Sequence, residues 1–357
     1  MSSIHERAAR VRKVDEESMA LARKLQDSLT KPRGSLGKLE TLSIRLAGIY
    51  RTPHPCLKRK VVFTMAADHG VTEEGVSAYP SDVTAQMVLN FARGGAAINV
   101  LARHAGAEIR VVDMGVRSDI QWPDPVLSRK VMRGSRNMAQ GPAMTKEQAL
   151  EALDTGAQLA SEAAESGANA VAIGDMGIGN TTAASAITAV VTGRKVEEVT
   201  GRGTGIDDRS LSLKIRAIEK AIKVNSPDPN NGVDLVSKVG GLEIAGLAGV
   251  AIGAASGGVP VFLDGFVSSS AALVAAAICP EARDYMIASH LSVEPGHRFA
   301  LEHLGLDPLL DLGMRLGEGT GAALAFMIAE ASCKILNEMA TFENAGVSRS
   351  DNKEAIE

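Results

Sequence analysis

The chain has 357 residues, 45% of them hydrophobic and only 3% aromatic, with a formal net charge of −4 at pH 7. That balance gives no general electrostatic attraction to nucleic acid or a membrane surface, and the scarcity of rings argues against a stacking platform for single strands. Its three cysteines, Cys56, Cys279 and Cys333, form no CxxC pair, which reads as reduced thiols in a cytoplasmic protein without structural zinc.

In chain order, the N-terminal stretch MSSIHERAARVRKVDEES is charged throughout and carries no apolar signal region. Residues 1–29 read as helical, with Leu21, Leu25 and Leu29 along one stripe. TKPRGSLGKLE (Thr30 to Glu40) interrupts them, and a second helix over roughly Lys38 to Tyr50 ends near Pro53 and Pro55. A strand, glycine loop and helix pattern then repeats. Apolar runs at VVFTMAADHGV (61–71), IRVVDMGV (109–116), AVAIGDMGIGN (170–180) and VPVFLDGF (259–266) are separated by helix-length segments, with a weaker fifth at ARDYMIASHLS (282–292). This spacing predicts a parallel sheet covered on both faces. Asp68, Asp113, Asp175 and Asp264 follow four of these runs, so polar groups collect at the carboxyl rim, where open α/β sheets bind ligands. The uncharged stretch from Ile244 to Leu263 holds five glycines and Pro260 and reads as buried helix, turn and strand rather than a membrane span. After about Glu338 the tail turns polar and is expected to be frayed or loosely docked.

Several segments could carry chemistry. GDMGIGNTTAASAI (174–187) leads into a small-residue helix, with Asn180, Thr181 and Thr182 as N-cap candidates and exposed amides suited to an anion. GRGTGIDD (201–208) precedes a helix holding Lys214 and Arg216. Together these read either as a phosphate cradle or as two structural turns with a solvated lysine. LGMRLGEGTGA (312–322) sets Glu318 between glycines, either as a used carboxylate or as a dipole-stabilised acid beside Thr320 capping the next helix. SHLSVEPGH (289–297) reads as a polar loop bordering a site, its His290 and His297 lacking metal-ligand spacing. Asp68 and His69 in AADHG read as a strand-end pair in preference to metal ligands.

Taken as a set, TKPRGSLGKLE, ADHGV, NMAQGPAMT (137–145), GDMGIGNTT, GRGTGIDD, LDGF, EPGH and LGEGTGAALA resemble the nicotinate-nucleotide–dimethylbenzimidazole phosphoribosyltransferase (CobT) family, in its order and over residues 30 to about 325. The resemblance implies transfer of the 5-phosphoribosyl group of nicotinate mononucleotide to 5,6-dimethylbenzimidazole, giving α-ribazole 5′-phosphate and nicotinate. It implies Glu318 as general base, with Asp175 (where the family commonly has glutamate) as a second catalytic carboxylate. Lys214, the amides near Gly177, Gly179 and Gly203, Asn180, Thr181 and Ser292 would hold phosphate and ribose. Asp264, Leu316, Tyr79, Gln86 and Met87 would line the benzimidazole site. No cofactor and no metal are needed, and the family implies a cytoplasmic homodimer. The expected fold is α/β: a Rossmann-like parallel sheet of about six strands flanked by helices over 51–334. A small helical subdomain would be built from 1–50 and 335–357.

Two other readings remain at this point. A nucleotide-dependent dehydrogenase would share the strand–loop–helix units, but no GxGxxG follows a strand here. A non-catalytic nucleotide- or azole-binding protein would keep the glycine loops without needing Glu318.

Overall fold

A computed structural model describes residues 3–348; the last residues of the polar tail, 349–357, lie outside the described residues. The chain divides into two compact units, Met1–Lys13 with Lys58–Phe326, and Val14–Leu57 with Met327–Glu357.

The first unit is built on a six-stranded sheet: β1 (Lys60–Ala67), β2 (Ala107–Gly115), β3 (Leu127–Ser128), β4 (Ala170–Met176), β5 (Val261–Leu263) and β6 (Met286–Ala288). The order is β3-β2-β1-β4-β5-β6 and every neighbouring pair is parallel. All eight residues of β1 are buried, as expected of a central strand covered on both faces, and this is why it reads in sequence as one apolar run. The two-residue β3 has no such run and was not foreseen.

The uncharged stretch forms the helix Leu242–Ser256 and then β5. That helix is buried from Leu242 through Ala255, and it packs backbone to backbone against the helix Lys146–Glu165. A Cβ on Gly156 would fall 1.8 Å from the Gly246 carbonyl oxygen, and one on Gly249 would fall 2.0 Å from that of Leu153. Only glycine permits this approach. Gly156→Ala is therefore expected to cost about 3 kcal/mol in denaturant unfolding; a cost below about 1 kcal/mol would mean that the helices separate freely. Among the described residues no helix is long and apolar enough to cross a membrane.

The predicted continuous N-terminal helix is broken. Ile4–Ala8 belongs to the first unit, where the Ile4 amide donates to Asp154, rather than to a helical subdomain. A new helix, Glu16–Ser28, starts at Asp15, whose carboxylate accepts from the Ser18 amide at 3.0 Å.

In the second unit that helix packs with Lys38–Tyr50 around Ala22, Ile44, Ala47 and Leu336. The inward stripe is Ser18, Ala22, Gln26 and Leu29; Leu21, placed on it by the sequence, is 48% exposed. The loop of TKPRGSLGKLE is tied by a Lys31–Glu40 ion pair of 2.7 Å and by the Gly34 and Leu36 amides donating to Glu40. The start of the tail is docked rather than frayed: Leu29 and Thr341 form an antiparallel bridge, and the Thr30 amide donates to Ala340.

Candidate active site

Strands β1 and β4 lie side by side at the centre of the sheet, with the chain order reversing between them, and such a switch point is where doubly wound sheets bind ligands. A cavity of about 350 Å³ opens there. Its walls come from the segment after β1 (Val76, Ser77, Tyr79), residues 175–181 at and beyond the end of β4, Gly203 and Thr204, residues 265–267 after β5, His290, Ser292 and Glu294 after β6, and 315–317.

Glu318 directly follows the lining residue Gly317 and, like Lys214, sits behind the cavity wall rather than among its lining residues. Gly317, Glu318 and Gly319 are consecutive residues with φ of +87°, +65° and +99°. A left-handed glutamate costs roughly 1–2 kcal/mol, and neighbouring structure must enforce it. The Glu318 amide donates to the Asp175 carbonyl at 3.1 Å, and the Thr64 hydroxyl donates to the Glu318 carbonyl at 2.8 Å. The residue is 4% exposed, and its carboxylate accepts from the Ile98 amide at 3.2 Å, at the start of the helix Ala97–Ala105. Burial pushes its pKa above the ordinary range, the Ile98 amide opposes this, and the negative charge of Asp264 adds to it.

Asp264 has a different place from the one expected. It is wholly buried and is not among the residues lining the cavity. Its Oδ2 accepts from Gly319 (3.0 Å) and its Oδ1 from Gly321 (2.6 Å) and Ala322 (3.2 Å). Asp264, not Thr320, thus supplies the capping carboxylate of the helix Thr320–Glu338, with both of its oxygens engaged there. Thr320 instead donates to the Gly317 carbonyl at 2.9 Å.

Asp175, the penultimate residue of β4, lines the cavity and accepts from Asn180 Nδ2 at 2.8 Å. Burial pushes its pKa well above the usual carboxylate range, and the charges of Asp264, Glu243 and Glu318 push the same way.

The glycine loop after β4 ends at Gly179, with φ of +94°, which is the N-cap of the helix Asn180–Thr192 in place of the foreseen Asn or Thr. No side chain caps this helix, and its Asn180 and Thr182 amides turn back to the Gly177 and Gly179 carbonyls at 3.1 and 3.0 Å. Lys214, on the helix Asp208–Asn225, is 1% exposed rather than solvated. Its ammonium donates to Thr181 Oγ1 at 2.9 Å and to the Gly201 carbonyl at 3.1 Å. Burial lowers its pKa to about 8, partly offset by Glu294. The two glycine loops thus converge through Lys214. The Gly203 amide, expected to face phosphate, donates to Glu294 Oε1 at 3.0 Å.

Of the other foreseen residues, Tyr79 and Leu316 stand at the cavity mouth, 55% and 57% exposed, and Ser292 lines its wall. Gln86 and Met87, on the helix Asp82–Ala92, are outside the lining. Asp68 and His69 do not pair through a hydrogen bond: Asp68 accepts from the Arg117 amide at 2.7 Å, while His69 Nε2 meets Glu243 Oε1 at 2.6 Å behind the glycine loop. His297 takes the Ser292 amide on Nδ1 at 2.8 Å and shares Nε2 with the Ser269 hydroxyl at 2.9 Å, burial lowering its pKa to about 3. Among the described residues no group of three or more His, Cys, Asp or Glu is placed to hold a metal ion. The functional candidates that sequence reasoning did not single out are Glu294 and Arg315. The EPGH segment after β6 marked the first only as part of a polar loop.

Comparisons with known proteins agree with this fold. A family model described as "Phosphoribosyltransferase" matches residues 11–347. A protein of Chloroflexus aggregans named nicotinate-nucleotide–dimethylbenzimidazole phosphoribosyltransferase is 56% identical over 96% of this chain and 96% of its own length. One of the same name from Geobacter sulfurreducens is 53% identical over 98% of this chain and 100% of its own. The crystal structure of CobT from Thermus thermophilus superposes with a TM-score of 0.90 at 48% identity, covering 94% of this chain and 100% of that one. With full-length relatives at this identity and a matching fold, the chain belongs to the nicotinate-nucleotide–dimethylbenzimidazole phosphoribosyltransferase family.

Proposed function

We propose that this protein transfers the 5-phosphoribosyl group of nicotinate mononucleotide to 5,6-dimethylbenzimidazole, giving α-ribazole 5′-phosphate and nicotinate. The observation that carries this reading beyond family membership is the buried, basicity-raised Glu318 beside Asp175 at the carboxyl edge of β4. One nitrogen of the benzimidazole attacks C1′ of the ribose while its other nitrogen gives its proton to Glu318. The C1′–pyridinium bond breaks with its electron pair staying on the pyridine nitrogen, so nicotinate leaves neutral at that nitrogen and needs no acid. Glu318 then returns the proton to solvent.

In this reading Lys214, Thr181, Asn180 and the amides of Gly177 and Gly179 hold the phosphate, with Ser292 nearby. Tyr79 and Leu316 flank the bases at the mouth. Asp175 orients Asn180 and the Glu318 loop. We also propose that the chain works as a homodimer in the cytoplasm; light scattering at twice the chain mass supports the dimer, and a monomer mass removes it.

The test is incubation with nicotinate mononucleotide and dimethylbenzimidazole, with nicotinate and a new riboside phosphate expected together by chromatography. Neither product, with nucleotide still bound, would leave a binding protein. Lys214 gives a pH prediction. Its ammonium is charged below its lowered pKa of about 8, so nucleotide affinity should fall as pH rises through that value. Lys214→Ala should raise the nucleotide KM by about tenfold to a hundredfold and flatten that dependence. An unaltered KM would count against the phosphate role.

A further inference from the structure

Two carboxylates, Asp175 and Glu294, line the cavity, and Arg315 is the one lysine or arginine among its lining residues. Lys214 is buried behind the wall, its ammonium donating to Thr181 Oγ1 and to the Gly201 carbonyl. Arg315 is exposed. Its Nη1 donates to the Gly203 carbonyl at 3.0 Å, and among the described residues no carboxylate pairs with it. The guanidinium therefore keeps the donors of Nε and Nη2 for a ligand, in the planar fork that matches an oxyanion.

The Gly203 tether decides which end of the cavity this cation serves. A Cβ on Gly203 would fall 2.7 Å from Thr181 Oγ1 and 3.3 Å from Lys214 Nζ, so Arg315 is pinned to the loop that also covers the buried lysine. Ser77 and Thr204 line the cavity beside Gly203, their hydroxyl oxygens 3.4 Å apart. Fixed positive charge and hydroxyl donors gathered at a glycine loop suit a phosphate dianion. The other anion of nicotinate mononucleotide, its carboxylate, is carried on the base, at the opposite end of the molecule from the phosphate. The segment bearing Arg315 is itself held, the Val293 amide donating to the Met314 carbonyl at 3.2 Å.

We propose that Arg315 binds the 5′-phosphate of the nucleotide directly, as the accessible cation of the cavity, while Lys214 supports the same end from behind through Thr181 and the Gly201 carbonyl. This rests on the transferase reading, from which it takes the nucleotide. A charge-assisted, forked contact of this kind corresponds to roughly tenfold to a hundredfold in affinity.

The test is calorimetric Kd, without acceptor, for three ligands: nicotinate mononucleotide, nicotinate riboside, which lacks the phosphate, and nicotinamide mononucleotide, which lacks the carboxylate. It compares the wild type with Arg315→Ala and with Arg315→Lys, which keeps the charge but not the fork. The alanine variant should bind both mononucleotides about tenfold to a hundredfold more weakly and the riboside within about twofold of the wild type, with the lysine variant recovering part of the loss. Competition by inorganic phosphate, expected to weaken in the alanine variant, gives the same reading if the riboside binds below the calorimetric range. Unchanged binding of the mononucleotides, or unchanged competition by phosphate, overturns the proposal. So does an equal loss for all three ligands, which would make Arg315 only a brace for the Gly203 loop. A loss confined to the two nicotinate ligands also overturns it, by placing Arg315 on the base carboxylate. Phosphate-dependent binding that requires Arg315, in a protein giving no products with dimethylbenzimidazole, would uphold this inference and overturn the transferase reading alone.

Discussion

Glu318→Gln lowers kcat by a factor of about 10² or more while leaving the protein at least as stable at neutral pH. The two halves of this expectation have separate causes. The amide has the size of the acid and keeps an oxygen for the Ile98 amide, so the loop keeps its shape. It cannot take the proton of the benzimidazole. Stability is preserved because the carboxyl pKa is raised in the folded protein. The unfolded chain ionises Glu318 above roughly pH 4 while the folded chain resists, so this group costs stability as pH rises toward its folded pKa. Glutamine removes that cost. The wild-type rate should climb with pH through the raised pKa of Glu318, and the variant should lack that limb. Turnover across pH and thermal unfolding at pH 5 and pH 8 measure both halves; an unchanged kcat removes the base assignment.

Gly174→Ala lowers turnover by a factor of about 10² or more through a different route. A Cβ at this position of β4 would fall 2.2 Å from the Gly319 nitrogen and 2.4 Å from the Glu318 carbonyl carbon and oxygen. All of these are main-chain atoms that cannot rotate aside. They belong to a loop already fixed by Thr64, Asp175 and Asp264. Either the loop lifts and Glu318 leaves its place, or the strand shifts within the buried centre of the sheet. Both cost about 3 kcal/mol or more, with a comparable loss of transition-state stabilisation. Gly141→Ala is the control: a Cβ there meets nothing within 4 Å, and its φ is not in the left-handed region, so the change should stay within about 0.5 kcal/mol. A Gly174→Ala enzyme with wild-type activity would show that the Glu318 loop does not need its contact with β4.

The strands of the α/β unit were legible because a doubly covered parallel sheet writes itself as continuous apolar runs, and the acids after them marked the ligand-binding rim. Glu318 was legible as a carboxylate set among glycines, whereas Lys214, between Leu213 and Ile215 on a helix, read equally as a solvated lysine until the resemblance singled it out. What could not be read was which neighbour each polar group satisfies. Asp264 lies on the rim like Asp175, yet three backbone amides from the helix start at residues 319–322 absorb both its oxygens. That contact spans more than fifty residues of sequence and has no local signature. Gln86 and Met87 stayed off the cavity because the helix Asp82–Ala92 turns other residues inward, including buried Thr84 and Ala85. Glu294 was hidden for the reverse reason. Its carboxylate is seated against Gly201 and the Gly203 amide, ninety-odd positions earlier, which only the folded chain brings to it.

The loop that carries Glu318 is fastened to Thr64, 254 positions earlier in the chain. A ribosome must therefore finish almost the whole first unit before the base has anywhere to sit. In refolding, closing such distant pairings is slow compared with local helix formation. Recovery of catalysis should consequently lag the return of helical circular dichroism, making turnover a reporter on the last long-range closure of the sheet.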